Sequence, residues 1–306
     1  MQIPRIKIGT RGSPLALAQA RETRDQLIAA HGMDTSEIEI IAISTTGDRI
    51  KDRPLTEIGG KGLFTKEIEE ALMAGEIHLA VHSMKDLPAN LPEGLTIAAV
   101  LPREDARDAF MSLTAASIQD LKLSALIGSS SVRRTAQILR LRPDLKSVQF
   151  RGNVETRLRK LSEGVADATF LACAGLNRLG LADKITYAVP TDIMLPAIAQ
   201  GAIGIEIREN DVVTRSLLAA INDAPSEIAV TCERAFLKAL DGSCRTPLAG
   251  HATLDGDTLS FRGHALTLDG VHCFETTRAG SPADAARMGR EAGAEVKALG
   301  GALIAF

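Results

Sequence analysis

Residues 3–14, IPRIKIGTRGSP, lead an extended segment directly into a helix start. The alternation from Ile3 to Gly9 predicts a strand. Ser13 followed by Pro14 is typical of a helix N-terminus, with serine as the N-cap and proline at the first helical position, and Gly32 predicts the end of that helix. This strand-to-helix unit is the building block of α/β folds.

The same alternation continues and then begins again further along the chain. A strand at Glu37 to Ser44, a glycine-rich loop, a helix ending at Ala74 and a strand at Ile77 to His82 are predicted in that order. From about Asp108 the pattern restarts, with a strand at Ala125 to Gly128, a serine turn and a helix. Alternating strands and helices favour mostly parallel sheets, so we predict two similar α/β domains.

A late strand, predicted at Ala202 to Ile207, bears on how the two domains connect. If this strand returns to the first sheet, the second domain is an insertion joined by segments near residues 102 and 196. Two such crossings form a hinge that permits closure over a ligand.

The last part of the chain changes character. Asp255-Gly256 and Asp269-Gly270 separate alternating runs as hairpin turns do, a helix is predicted at Ser226 to Leu240, and a final helix starts at Ser281-Pro282. The predicted fold class is α/β, with two doubly wound domains and a small α+β C-terminal domain with an antiparallel sheet. The predicted domains are 1–101 with 197–220, 102–196, and 221–306.

Composition excludes several classes of function. The 306-residue chain has a net charge of −3, no Trp and one Tyr, which disfavours nucleic acid as a partner. Neither a secretory signal at Met1 to Thr10 nor a membrane-length apolar run is evident, so we predict a cytoplasmic protein with no membrane partner. The four cysteines form no C-x-x-C pair, so no metal site is predicted. We predict a monomer.

Arginines stand at predicted helix starts, where the helix dipole disfavours cations. Arg133 and Arg134 begin one helix, Arg11 precedes another, and the segment 151–159 carries arginines into a third. A bound carboxylate or phosphate would reverse that cost, and strand-to-helix loops gather at the ligand side of an α/β sheet. The alternative is that these arginines are solvated surface charges.

Three further residue types are candidates for chemistry. Asp86 follows a strand end. One interpretation is functional: it stabilises a developing cation or relays a proton. The other is structural: it forms a turn before Pro88 or an ion pair with Lys85. His78 and His82 lack a metal-ligand motif and are predicted to be packed or hydrogen-bonded. Cys244 lies in a polar loop beside Arg245 and is either a reactive thiolate or an ordinary turn cysteine, whereas the other cysteines are predicted to be buried.

Seven motifs in one order resemble the porphobilinogen deaminases, also called hydroxymethylbilane synthases. They are TRGSPLA at 10–16, GGKGLF at 59–64, VHSMKDLP at 81–88, GSSSVRR at 128–134, RGNV at 151–154, PAIAQG at 196–201 and GSCRTP at 242–247. The resemblance implies two domains like those of periplasmic binding proteins and a third, smaller one. It implies a transferase of tetrapyrrole (haem) biosynthesis that condenses four porphobilinogen molecules into linear hydroxymethylbilane, with release of ammonia, on a covalent dipyrromethane cofactor.

The resemblance also implies roles for individual residues. Asp86 is the implied catalytic residue, and Cys244 the implied thioether attachment of the cofactor. The implied cofactor-binding residues are Cys244, Lys85, Ser131, Arg133, Arg134 and Asp86; the implied substrate-binding residues are Arg11, Ser13, Arg151, Arg157, Arg178, Gln200 and Lys61. Each porphobilinogen carries an acetate and a propionate, which explains a demand for many cations.

Two departures from the family pattern concern the loop regions. Thr46 stands where many relatives have a basic or larger polar residue, and Arg245 stands where Gln is frequent. The loop at 47–58 is predicted to be a mobile lid. The alternative function is a cytoplasmic solute-binding protein for a polycarboxylate, which would carry no covalent adduct.

Overall fold

The structure is a computed structural model that describes residues 6–49, 62–242 and 246–304. Its strands are β1 Ile6–Arg11, β2 Ile38–Ile43, β3 Leu79–Ser83, β4 Leu95–Val100, β5 Asp108–Ser112, β6 Leu126–Gly128, β7 Lys146–Val148, β8 Ala168–Ala172, β9 Tyr187–Val189, β10 Ile203–Arg208, β11 Leu248–Asp255, β12 Thr258–Leu266 and β13 Cys273–Gly280. Its α-helices are α1 Pro14–His31, α2 Thr46–Arg49, α3 Lys66–Met73, α4 Val132–Leu141, α5 Val154–Ser162, α6 Cys173–Arg178, α7 Val212–Leu218, α8 Ala224–Ala239 and α9 Ala285–Gly300.

The first sheet has the strand order β2-β1-β3-β10-β4. β1 is parallel to β2 and β3, whereas β10 is antiparallel to both of its neighbours. The late strand therefore returns to the first sheet, between two strands that precede it in sequence by about a hundred residues. It is antiparallel because the chain re-enters the sheet from the opposite end.

The second sheet has the order β7-β6-β8-β5-β9. β6 is parallel to β7 and β8, and β5 is antiparallel to β8 and β9. The third sheet is the antiparallel meander β11-β12-β13. Its two hairpin turns contain Gly256 and Gly270 at φ +53° and +74°, as the Asp-Gly pairs predict. The predicted fold class is confirmed.

The chain divides into two compact units. One contains the described residues before 105 together with residues 202–227, and the other contains the described residues of 105–201 and those from 228 onward. The predicted division into three domains stays a prediction. None of the helices in the described part of the chain is long and apolar enough to span a bilayer.

Helix α1 has the ends that the sequence predicts. The Ser13 Oγ accepts a hydrogen bond from the Ala16 N–H, Pro14 occupies the first turn, and Gly32 ends the helix at φ +64°. Ala20 and Leu27 are fully buried and join a core with strands of the first sheet. Burial of a side chain the size of Leu27 contributes roughly 1.5 to 3 kcal/mol, and this core fixes the N-terminus of α1 at the end of β1.

Strand β1 extends two residues beyond the predicted Gly9. Arg11 is its last residue and is paired with Ile43 in the parallel register. Arg11 is therefore held by a strand on one side and by the helix start on the other.

Candidate functional site

A pocket lies at the N-terminus of α1, within the first unit. β1, α1 and β3 contribute most of its walls. The residues that line it are Arg11, Ser13, Leu15, Ala16, Gln19, Phe64, Thr65, Val81, His82, Ser83 and Asp86. Three of the predicted site residues, Arg11, Ser13 and Asp86, thus share one pocket.

Arg11 is the central cation of this pocket. Its guanidinium forms a two-point ion pair with Asp48, lies 3.8 Å from Asp86 Oδ2 and stacks 4.2 Å from the centre of the Phe64 ring. Burial alone would raise the pKa of Asp48, but the hydrogen bond and charge of Arg11 hold that pKa below its ordinary value. The side chain of Arg11 keeps 23% of its surface exposed, which leaves it accessible to a ligand.

Asp86 lies at the end of a short 3-10 turn, Met84–Asp86, that follows β3. Its side chain is 38% exposed. Ser83, at the end of the strand, exchanges hydrogen bonds of 2.8 and 3.0 Å with the amide of Gln19 on α1. The turn is thereby tied to α1, and the oxygens of the Asp86 carboxylate can accept hydrogen bonds at the pocket.

The predicted hydrogen-bonded histidines have identifiable partners. His78 Nδ1 accepts from the Lys7 N–H at 3.0 Å, and His82 Nε2 lies 3.0 Å from Glu206 Oε2 on β10. Glu206 is fully buried, and the sequence analysis did not single it out. Its one sequence signal is an acidic residue inside the apolar strand β10. In residues 6–49, 62–242 and 246–304, no group of three His, Cys, Asp or Glu side chains could hold a metal ion.

Arg133 and Arg134 differ from the expectation of an external anion at this helix start. Both guanidinium groups bind the carboxylate of Asp108, the first residue of β5. Arg133 Nη1 lies 2.7 Å from Oδ2, and Arg134 Nη2 lies 2.7 Å from Oδ1. Arg133 also donates to the Leu195 carbonyl and Arg134 to that of Phe170, each at 2.8 Å. The anion that offsets the helix dipole here is internal, because buried cations require a buried partner.

The charge balance of this cluster sets its titration. Asp108 is fully buried, which by itself raises the pKa of its carboxyl, but the charges of Arg133 and Arg134 hold that pKa well below its usual range. Burial lowers the pKa of Arg133, and the charge of Asp108 opposes that effect. Nε of Arg133 is buried and has no hydrogen-bond partner among the described residues.

Gln200 also departs from its predicted contact with substrate. It is fully buried, and its amide nitrogen donates to the Ala106 carbonyl at 2.8 Å and to Asp108 Oδ1 at 3.1 Å. In this structure Gln200 therefore holds Asp108, and its contact with substrate stays a prediction. The sequence signal for the burial of Gln200 is the run of apolar residues around it, PAIAQGAIG at 196–204.

The other predicted anion contacts lie at partly exposed positions. Ser131 is the N-cap of α4, and Asn153 is the N-cap of α5, whose first turns carry Arg157. Arg157 Nε donates to the Gly152 carbonyl at 2.9 Å, and Gly152 has φ +124°, a conformation that favours glycine. Arg178 donates to the Gly201 carbonyl at 3.0 Å. Arg151 and Lys85 are half-buried. A shared cleft for all these residues stays a prediction.

Several predicted residues lie outside the described residues. These are Lys61, Cys244 and Arg245. Of the predicted lid at 47–58, only 47–49 are described; there Arg49 binds both Thr46 Oγ1 and Glu67, at 2.8 and 2.6 Å. The lid stays a prediction.

Burial disfavours the thiolate form of the three described cysteines. Burial raises the pKa of Cys173 and of Cys232 to about 12, and it also raises that of Cys273. Cys173 and Cys232 are fully buried as predicted, whereas Cys273 is half-buried.

Comparisons with known proteins agree on one family. A family model described as porphobilinogen deaminase, dipyromethane cofactor binding domain, matches residues 6–216, and one described as porphobilinogen deaminase, C-terminal domain, matches residues 227–298. The porphobilinogen deaminase of Paracoccus denitrificans is 59% identical to this chain, over 95% of the chain and 93% of the relative. That of Nitrobacter hamburgensis is 56% identical, over 96% and 93% respectively.

Proposed function

This chain belongs to the porphobilinogen deaminase family, and from that membership we propose that it condenses four porphobilinogen molecules head to tail into hydroxymethylbilane. The activity is that of a transferase in tetrapyrrole biosynthesis, and ammonia is its second product. The observation that carries this conclusion is the match of both family models across almost the whole chain. That match does not favour the solute-binding alternative. We further propose that the protein acts as a cytoplasmic monomer without nucleic-acid partners.

The pocket of the first unit offers what the chemistry needs. When ammonia leaves porphobilinogen, the C–N bond breaks with its electron pair on nitrogen, and positive charge develops on the pyrrole. A carboxylate at the pocket rim stabilises that charge and accepts a hydrogen bond from the pyrrole N–H, which is the proposed role of Asp86. Arg11 and Ser13 are proposed to bind the acetate or propionate of the same ring, because Arg11 is accessible and forms bidentate contacts with carboxylates.

The dipyrromethane cofactor of this family would supply a pyrrole carbon as the nucleophile that starts the chain. We propose that it is attached to Cys244. This assignment comes from the family resemblance of the motif GSCRTP, and burial, which raises the pKa values of the three described cysteines, disfavours those thiols as attachment points.

Cations and hydroxyls at the start of α4 fit a group that carries four carboxylates. We propose contacts from Ser131, Arg133 and Arg134 there, and from Lys85 on the turn that follows β3. For Arg133 the support is its buried Nε–H, which has no partner among the described residues and can still donate. Arg151, Arg157, Arg178 and Lys61 are proposed to bind substrate carboxylates, each charge-assisted hydrogen bond being worth about 1.5 to 3 kcal/mol. Gln200 is proposed to act indirectly, by holding Asp108.

Intact-mass measurement tests this function. Protein from a host that makes porphobilinogen should carry an extra mass equal to two pyrrole units, and further pyrrole units should add when porphobilinogen is supplied. Cys244→Ser should lose the adduct, and the matched control Cys273→Ser should keep it. An unmodified wild-type chain would contradict the proposal.

The role of Asp86 has its own test. Asp86→Asn should fold and carry the two-pyrrole adduct but should join rings about 10²- to 10⁴-fold more slowly, the usual range for loss of a positioned acid or base. Asp257→Asn, at an exposed hairpin turn, is the control. Near-normal turnover of Asp86→Asn would remove its catalytic role.

A further inference from the structure

Three titratable side chains meet behind the pocket, on one face of the first sheet. His82 on β3 and Glu206 on β10 lie two residues out of register on neighbouring antiparallel strands, with Gly204 opposite His82 and Ala80 opposite Glu206, so both side chains project from the same face. Helix α3 packs on strands of this sheet and buries Glu69 beside them. His82, Glu206 and Glu69 retain 5%, 0% and 8% exposure, and His82 is the member that lines the pocket.

This cluster is short of hydrogen-bond donors. Oε2 of Glu206 pairs with His82 Nε2, but Oε1 of Glu206 and Oε1 of Glu69 are buried without a partner among the described residues. Buried carboxylate oxygens without a hydrogen-bond donor are costly. The cluster therefore places unpaired acceptor oxygens beside a histidine that lines the substrate pocket.

We propose that the imidazole of His82, held by Glu206, accepts the proton that leaves the pyrrole α-carbon at each ring joining, and that Glu69 adjusts the proton affinity of the pair. This inference rests on the proposed function. As the new C–C bond forms, the attacking α-carbon still bears its hydrogen; the C–H bond then breaks, its electrons return to the ring, and the proton passes to the imidazole. The aminomethyl group enters as an alkylammonium and has already left as neutral ammonia when positive charge developed on the pyrrole. The proton on the imidazole therefore passes to solvent, and each joining releases the equivalent of one ammonium ion.

Glu69 gives the network a pH dependence. Burial raises the pKa of Glu69, and the Thr65 hydroxyl opposes that rise. The negative charges of Glu206 and Glu70 add to the rise, so that the pKa of Glu69 stays above its ordinary value. The charged groups on the elements around it are Glu206 and Arg208 on β10, His82 on β3, Lys7 and Arg11 on β1, and Glu67 and Glu70 on its own helix. As pH rises through the raised pKa, Glu69 gains a negative charge near the His82–Glu206 pair, which stabilises the positive charge that arises there when the proton is transferred.

The first test is the replacement of His82. His82→Gln retains a hydrogen-bonding group but cannot take up a proton, so ring joining should slow by about 10²- to 10⁴-fold with little change in KM. Glu206→Gln, which keeps its size but loses its charge, should slow the same step by at least about tenfold. Glu70→Gln, an exposed position on the same helix as Glu69, is the matched control. Rates of both variants within twofold of the control would overturn the proposal.

The second test separates proton transfer from a structural role. With Glu69→Gln, the ratio of the wild-type rate to the variant rate should grow as pH rises, because only wild type gains the charge. A pH-independent ratio would overturn the role of Glu69.

A readout apart from activity is the free energy of unfolding against pH. Since the folded-state pKa of Glu69 is raised, its contribution is complete below the unfolded-state value and is lost as pH rises through the folded-state value. Glu69→Gln should therefore gain stability relative to Glu70→Gln as pH rises, and equal slopes would contradict a raised pKa. Failure of the proposed function would appear separately, as wild-type protein without a pyrrole adduct.

Discussion

The two strand-to-helix junctions, β1 into α1 and β6 into α4, have similar sequences but hold their arginines in opposite environments. Arg11 lies in a pocket, partly exposed, beside Asp48 and Asp86. Arg133 and Arg134 are buried against Asp108. An accessible cation can exchange partners with a ligand, whereas a buried one is fixed by the cost of losing its counter-ion. The first junction is therefore suited to recognition, and the second mainly to holding its sheet together.

Removal of the buried anion should have the largest effect. Asp108→Asn leaves two buried guanidinium groups without a carboxylate, which should lower the free energy of unfolding by about 3 to 5 kcal/mol in urea titrations. Asp183→Asn, in an exposed pair with Lys184, should change it by less than about 0.5 kcal/mol. Equal losses in both variants would show that the second junction is no more fixed than the surface.

The same carboxylate should dominate the acid limb of stability. Because the two arginines hold the folded-state pKa of Asp108 below its usual range, its contribution is complete above the unfolded-state value of about 3.9 and is lost as pH falls. Wild type should therefore lose stability steeply below about pH 4, and Asp108→Asn should lose less over the same interval. Parallel curves of unfolding free energy against pH for the two proteins would show that Asp108 is not the source of this acid-induced loss.

Arg11→Lys tests the accessible junction. Lysine cannot form the two-point contact with Asp48 or stack on Phe64 in the same way. The specificity constant for porphobilinogen should fall by about 10- to 100-fold, equivalent to one charge-assisted hydrogen bond, while stability changes by less than about 1 kcal/mol. Arg21→Lys on the exposed face of α1 is the control. A loss of stability with unchanged kinetics would reverse the contrast between the junctions.

The N-caps should differ least between the junctions. Ser13→Ala and Ser131→Ala each remove a side-chain hydrogen bond, of 3.2 Å to the Ala16 N–H and 3.4 Å to the Arg134 N–H. Each should cost about 1 kcal/mol, with the longer contact at Ser131 costing less. Thermal unfolding of the two variants would show whether this order holds.

Local signals in the sequence predicted the elements that depend on neighbouring residues. Ser13, Pro14 and Gly32 predicted the ends of α1, and the two Asp-Gly pairs predicted the hairpins, because capping and turn geometry are set within a few residues. Strands β4, β5, β7 and β9 were not predicted. β4, β5 and β9 are held by partners far along the chain, and β7 and β9 have only three residues each.

The site was predicted in part for the same reason. Arg11, Ser13 and Asp86 meet in the pocket as the positions of strand ends suggest. Asp108 was missed as the partner of Arg133 and Arg134 because its pairing spans 25 residues or more and depends on where β5 enters the sheet. The position of an arginine at a helix start shows that it lies near the positive end of the helix dipole. Its burial decides whether the compensating anion is a carboxylate of the protein.

The central place of β10 in the first sheet has a consequence for synthesis on the ribosome. Among the described residues, β4 is paired in the sheet only through β10. It cannot gain that pairing until residues 203–208 have been translated, whereas every strand of the second sheet lies within residues 108–189. All strands of the second sheet are therefore translated before the last strand of the first sheet. Until β10 emerges from the ribosome, β4 lacks the strand that it pairs with in the folded sheet and is exposed to aggregation.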